Sequence, residues 1–184
     1  SDTAYREESP TFPINVYGKS KLAGEKAIRE VRIPYLIFRT SWVYSLDGKS
    51  FLKTIKKMAE EKDTLRIVDD QIGSPTWARS IALATHQILE QCLQKNWLKE
   101  NLQTHSGIFH LSCRGKTSWH GFAKEFLSLS GIEKTKLTPI STSEYPTPAI
   151  RPLNSLLCND KVQNTFNIEL PGWESALKDC LTSA

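Results

Sequence analysis

No glycine-rich phosphate-binding turn occurs in this chain. Its nine glycines, Gly18, Gly24, Gly48, Gly73, Gly107, Gly115, Gly121, Gly131 and Gly172, form neither Gly-x-x-Gly-x-x-Gly nor Gly-x-Gly-x-x-Gly. The usual device for bringing backbone amides onto a dinucleotide pyrophosphate is therefore missing. The four cysteines, Cys92, Cys113, Cys158 and Cys180, are widely separated and include no Cys-x-x-Cys, which argues against a redox motif or a metal site. Reduced, packed thiols of a cytoplasmic protein are the expectation. His86, His105, His110 and His120 show no His-x-x-x-His pairing and read as structural or exposed. No run of about 18 apolar residues exists, and the opening stretch from Ser1 to Glu8 has neither the basic nor the apolar region of a secretory signal. No membrane partner is expected. The only methionine is Met58, so the chain reads as a processed product or an expressed fragment.

What is present is the composition of an ordinary globular piece: 184 residues, 39% hydrophobic and 24% charged, enough for one domain or a domain plus part of another. The net charge of +4 is spread among mixed signs. The densest basic cluster, Lys53, Lys56 and Lys57, reads as a solvated helix face, because no aromatic or glycine interleaving accompanies it. Nucleic acid is not an expected partner.

The most informative stretch is Val16-Tyr17-Gly18-Lys19-Ser20-Lys21. On a helix, the i, i+4 spacing sets Tyr17 and Lys21 on one face, one turn apart. A cation held there favours the tyrosinate and suits the phenol to donate a proton near neutral pH. The pair alone also describes a surface helix carrying an aromatic and a solvated lysine.

Longer motifs bear on the choice. The run from Pro13 to Glu25 resembles the catalytic helix of the extended short-chain dehydrogenases/reductases. Arg39-Thr40-Ser41-Trp42-Val43-Tyr44, the run from Val68 to Arg79, and Arg151-Pro152-Leu153-Asn154-Ser155 follow in the order of one branch, the dTDP-4-dehydrorhamnose reductases. The resemblance covers about Tyr5 to Leu181. It implies reduction of the C4 ketone of dTDP-4-dehydro-L-rhamnose by hydride from NADPH or NADH, with Tyr17 as proton donor and Lys21 lowering its pKa and contacting the nicotinamide ribose. In that family the glycine-rich turn and a catalytic serine or threonine precede the tyrosine. This chain then corresponds to the C-terminal part and is expected to be inactive alone. The readings from other classes are a non-catalytic binding or regulatory subunit of the same fold, and a sister nucleotide-sugar epimerase or dehydratase.

The resemblance also implies substrate-binding positions. Trp42 is expected against the deoxysugar, or else in the core. Gln71, Ser74, Pro75 and Thr76 are expected to line the nucleotide-sugar cleft, although Gly73-Ser74-Pro75-Thr76 reads equally as a helix cap. Arg151, in a proline-rich loop, suits a bidentate grip on a diphosphate, or is a surface arginine before a rigid turn. Some members of the branch bind Mg²⁺ through carboxylates near a dimer contact. Glu169 is a candidate without identifying spacing, so no metal ligand is assigned, and a homodimer remains open.

Periodicity predicts helices over 17–31, 50–62, 77–93, 118–129, 160–166 and 172–181, and strands over 35–38, 65–68 and 108–111. The second helix is expected to bury Phe51, Ile55, Met58 and Ala59, and the third Ile81, Ala84, Ile88 and Leu89. Residues 94–106 read as a helix tail and loop, Gly131 as a helix-ending glycine, and 138–152 as an extended loop. The expected fold is α/β: an incomplete Rossmann-like doubly wound parallel sheet with a smaller C-terminal substrate-binding lobe. Residues 1–68 would belong to the sheet domain with the catalytic helix, and 69–184 mainly to the lobe, with room for some of its elements to return to the sheet.

Overall fold

The computed structural model describes residues 3–48, 50–94 and 106–183. The first helix, α1 (Val16–Glu30), starts where Asn15 turns to extended backbone and its side chain accepts the Gly18 N–H. Strand β1 (Leu36–Arg39) follows, then β2 (Val43–Tyr44) and α2 (Phe51–Glu61), capped by Ser50. Next come β3 (Thr64–Val68), β4 (Ile72–Gly73), β5 (Thr76–Trp77) and α3 (Ala78–Gln94). The chain continues through β6 (Gly107–His110), β7 (Thr117–Ser118), α4 (Trp119–Leu129) and β8 (Lys136–Ile140). It ends with α5 (Asp160–Phe166) and α6 (Trp173–Thr182).

The described strands pair two by two. β1 runs parallel to β6, β2 to β5 and β3 to β8, whereas β4 and β7 are antiparallel. Parallel pairing requires long crossovers, which the intervening helices supply. The architecture is α/β with parallel strands, as expected. Between the strands and helices lies one apolar cluster that includes Leu52, Leu65, Phe109, Phe122, Phe166 and Leu177.

Three expectations need correction. Residues 138–152 are not one extended loop: Lys136–Ile140 forms β8 and Thr142–Glu144 a short 3₁₀ turn. Pro139 fits a strand there because β8 has a single described neighbour, so the missing N–H need not fall on the paired side. In α2 the buried residues are Leu52, Ile55 and Ala59, while Phe51 and Met58, which pack against the core, are only half-buried. In α3 the inward row is Ala84, Ile88 and Cys92 at i, i+4, i+8, and Leu89, about 100° further round, is half exposed. The predicted loop at 94–106 falls mostly outside the described residues.

Gly131 holds its expected place. With φ +67° it follows α4, donating its N–H to Ser128 while Ile132 donates to Leu127. That is a Schellman ending, and Ile132 packs against the core of which Leu127 is part. Among the described residues no helix is long and apolar enough to cross a membrane.

Candidate functional site

Tyr17 occupies the first turn of α1 and is 70% exposed. The Lys21 ammonium stands 5.4 Å from the centre of its ring, so the helical spacing does bring phenol and cation together. α1 itself buries no residue fully. It is fastened to β1 by a bidentate pair in which Arg39 donates to both Glu25 oxygens, at 2.8 and 2.6 Å.

A cavity of about 370 Å³ opens between α2, β3, α4 and the 145–151 loop. Phe51, Met58, Trp119 and Tyr145 give it apolar walls, and Gln71, Arg66 and Arg151 give it polar ones. Arg66 is paired with Glu144 at 2.7 Å. Arg151 has no carboxylate within ion-pair distance among the described residues, so its guanidinium is available to an anion.

The Gln71 side chain is 94% buried and its amide is held at both ends. Its oxygen accepts from the Trp119 indole at 3.2 Å, and its nitrogen donates to the Thr142 hydroxyl at 3.1 Å. That hydroxyl in turn donates to Asp70 at 2.6 Å. Burial works to raise the Asp70 carboxyl, but donation from the Thr142 hydroxyl and backbone N–H holds it below its ordinary value. The chain of bonds fixes which end of the Gln71 amide faces which partner.

Trp42 has φ +45°, rarely adopted by a bulky residue. Its ring stacks on Trp119 with centroids 3.8 Å apart, and a Cβ at Gly73 would lie 2.4 Å from it. Glycine at 73 is what allows this approach. The backbone of Trp42 also accepts the Thr76 N–H at 3.1 Å. Trp42 is thus a packed part of the site's aromatic wall, reaching the cavity through Trp119.

Ser74 and Thr76 lie apart from this cavity. Ser74 donates to the Gly115 carbonyl at 2.5 Å, and Thr76, with no exposed surface, donates to the Ser74 carbonyl and accepts the Cys113 N–H. Pro75 is likewise fully buried. These hydroxyls are spent inside the molecule. The structure brings together Gln71, Arg151 and, through Trp119, Trp42. Tyr17 and Lys21 form a separate exposed pair that does not line the cavity.

Trp119, Gly73 and Asn15 were not legible as site residues. Ser118-Trp119 opens a helix and gives no local hint that the indole meets Gln71, 48 positions away. Glu169 is paired with Arg114 at 2.9 Å. Among the described residues no group of three metal-ligating side chains exists.

Parallel α/β pairings, a helix presenting a Tyr–Lys pair and an arginine-lined cleft place the molecule in the Rossmann-like class. More narrowly, the chain belongs to the family described as the RmlD substrate binding domain, which matches residues 1–184. It is 41% identical to a dTDP-4-dehydrorhamnose reductase of Burkholderia thailandensis over 96% of this chain and 61% of the relative. A protein of the same name from Salmonella typhimurium is 41% identical over 98% of this chain and 60% of its own length. Among solved structures, dTDP-4-dehydrorhamnose reductase from Bacillus anthracis in complex with NADP superposes with TM-score 0.86 at 32% identity, over 98% of this chain and 60% of that one. The chain thus spans about 60% of the length of these relatives. A dTDP-glucose 4,6-dehydratase at 13% identity and TM-score 0.72 shares the fold alone.

Proposed function

We propose that this chain is the proton-donating and substrate-holding portion of a reductase that converts the C4 ketone of dTDP-4-dehydro-L-rhamnose to the alcohol. The observation that carries the reading is the Tyr17–Lys21 pair, with its cation 5.4 Å from the ring on an exposed helix end. Membership of the family adds the substrate class, since the named relatives are dTDP-4-dehydrorhamnose reductases.

The residues fit one end of a nicotinamide dinucleotide. Tyr17 and Lys21 offer a hydroxyl and an ammonium to the ribose, whereas the chain has no glycine-rich turn for the pyrophosphate. A reduced nicotinamide, NADPH by analogy with the NADP-bound relative, supplies a hydride to C4 when bound. Tyr17 would give its proton to the C4 carbonyl oxygen as that oxygen becomes the alcohol. Lys21 stabilises the tyrosinate left behind until solvent returns the proton. Arg151 holds the diphosphate, and the fixed Gln71 amide together with the Trp42–Trp119 wall orients the nucleotide-sugar. Residues 1–68 contribute the catalytic helix and 69–184 mainly the substrate lobe. No step is assigned to Mg²⁺: among the described residues no group of three metal-ligating side chains surrounds Glu169 or any other carboxylate.

Two proteins test this: the chain as it stands, and the chain extended through its native upstream reading frame. Oxidation of reduced nicotinamide is expected only in the extended protein, and Tyr17→Phe is expected to lower kcat by ~10²–10⁴. A folded extended protein that leaves verified substrate unreduced would refute the reading.

A further inference from the structure

Asn15 stands two residues before Tyr17 and uses both ends of its amide. Its oxygen accepts the Gly18 N–H at 2.8 Å, and its nitrogen donates to the Ile150 carbonyl at 2.9 Å, across 135 positions of sequence. The reversed amide would set donor against donor and acceptor against acceptor, so both partners fix one orientation. Ile150 immediately precedes Arg151, the cavity's unpaired guanidinium. One side chain therefore joins the helix end that carries Tyr17 to the loop that carries Arg151.

The loop has little freedom on its other side. The Ile72 N–H donates to the Leu153 carbonyl at 2.8 Å and the Ser155 N–H donates to the Ile72 carbonyl at 2.8 Å, pinning residues 153–155 to β4. Pro152 further restricts the short span between that anchor and Ile150. A shift of Arg151 toward a bound anion is then transmitted toward Ile150 and Asn15. The Asn15–Ile150 bond is exposed and adds little stability by itself. Its consequence is placement, because Tyr17 sits on a helix with no fully buried residue to locate it.

We propose that Asn15 is a positioning residue: it couples occupation of the arginine loop by the diphosphate of a nucleotide-sugar to the placement of the Tyr17 phenol. The proposal rests on the reductase reading for the role of Tyr17, but the link itself is measurable without turnover.

The test uses the extended protein with Asn15→Asp and Asn15→Ser. Both retain an acceptor for Gly18; aspartate has no donor for Ile150, and the serine hydroxyl, one bond shorter than the amide nitrogen, falls short of that carbonyl. Circular dichroism checks that helicity is kept. With dTDP as probe, amide exchange in the first turn of α1 is expected to slow about tenfold in wild type and to be unchanged in both variants, while the Ser155 amide, bonded to the Ile72 carbonyl, remains protected in all three. In turnover, both variants are expected to lose about tenfold in kcat. Arg151→Lys is expected to cost less in the variants than in wild type, because the coupling is already broken.

Equal slowing of α1 in wild type and variants, or none in wild type, overturns the proposal. So does a kcat loss confined to Asn15→Asp with a displaced pH profile, which would mark a charge effect on the phenol. Wild-type protein that binds dTDP with the expected α1 slowing yet reduces no ketone would fail the reductase reading and leave the link standing.

Discussion

His110 is only 1% exposed, and its surroundings set its protonation. Its backbone N–H donates to Glu7 at 2.8 Å, its Nδ1 lies 3.2 Å from the Cys158 carbonyl, and its Nε2 is buried without a hydrogen-bond partner. Desolvation pushes the imidazole pKa down. The Glu7 carboxylate opposes that shift, and nearby Arg39 reinforces it, so the neutral ring is favoured in the folded protein. The sign of the stability effect follows. Below the unfolded value of about 6.5, the unfolded chain binds a proton that the folded chain does not, so stability falls as pH drops from there toward the depressed folded value. Thermal unfolding followed from neutral to mildly acid pH is expected to show this slope in wild type and a flatter one in His110→Gln. Equal slopes would mean that another group governs the acid response.

At the scale of elements, α1 depends on tethers rather than burial. The Arg39–Glu25 pair is the strongest of them, with side chains only 21% and 16% exposed. Glu25→Gln leaves a largely sheltered guanidinium with a weaker partner, and the expected cost is about 1–3 kcal/mol, below that of a fully buried pair because solvent still reaches it. Midpoints of thermal unfolding should fall by several degrees, and the double change Glu25→Gln with Arg39→Met should recover part of the loss. Exchange in α1 unaffected by Glu25→Gln would show that the helix is held by other means. Most helices and the three longer predicted strands were legible because their signals are local: the Ser50 and Ser118 caps, the 3.6-residue apolar rows and Gly131 at a helix end. β8 was hidden because Pro139 breaks the strand pattern and the partner that justifies it, β3, lies some seventy residues upstream. Leu89 was misplaced by one position of helical phase, which an apolar pattern as broad as that of α3 does not resolve.

For the whole molecule, the Tyr–Lys pair was readable from spacing, whereas the cavity is a product of long-range packing. Trp119 meets Trp42, Gln71 meets Thr142 and Asn15 meets Ile150 only once the fold has closed. No local sequence signal specifies such meetings. The same scale explains a surface that the chain leaves unsatisfied. Phe12 is 83% exposed, Val16 81% and Ile14 49%, beside Tyr17, in the segment that leads into α1. Large apolar groups so exposed at alternate positions of one short segment are unusual on a monomer and mark a face that binds something. The chain also spans about 60% of the length of its relatives, so the expected cover is the remaining part of such a protein. The chain alone is therefore expected to self-associate with rising concentration in sedimentation and to bind an apolar dye. Extension through the upstream reading frame should reduce both and raise the unfolding midpoint, because covering the row stabilises the folded state by mass action within one polypeptide. Persistent dye binding by a folded extended protein would mean that the row serves a separate partner, and the exposed face of α1 would then have to be explained by assembly rather than by completion of the domain.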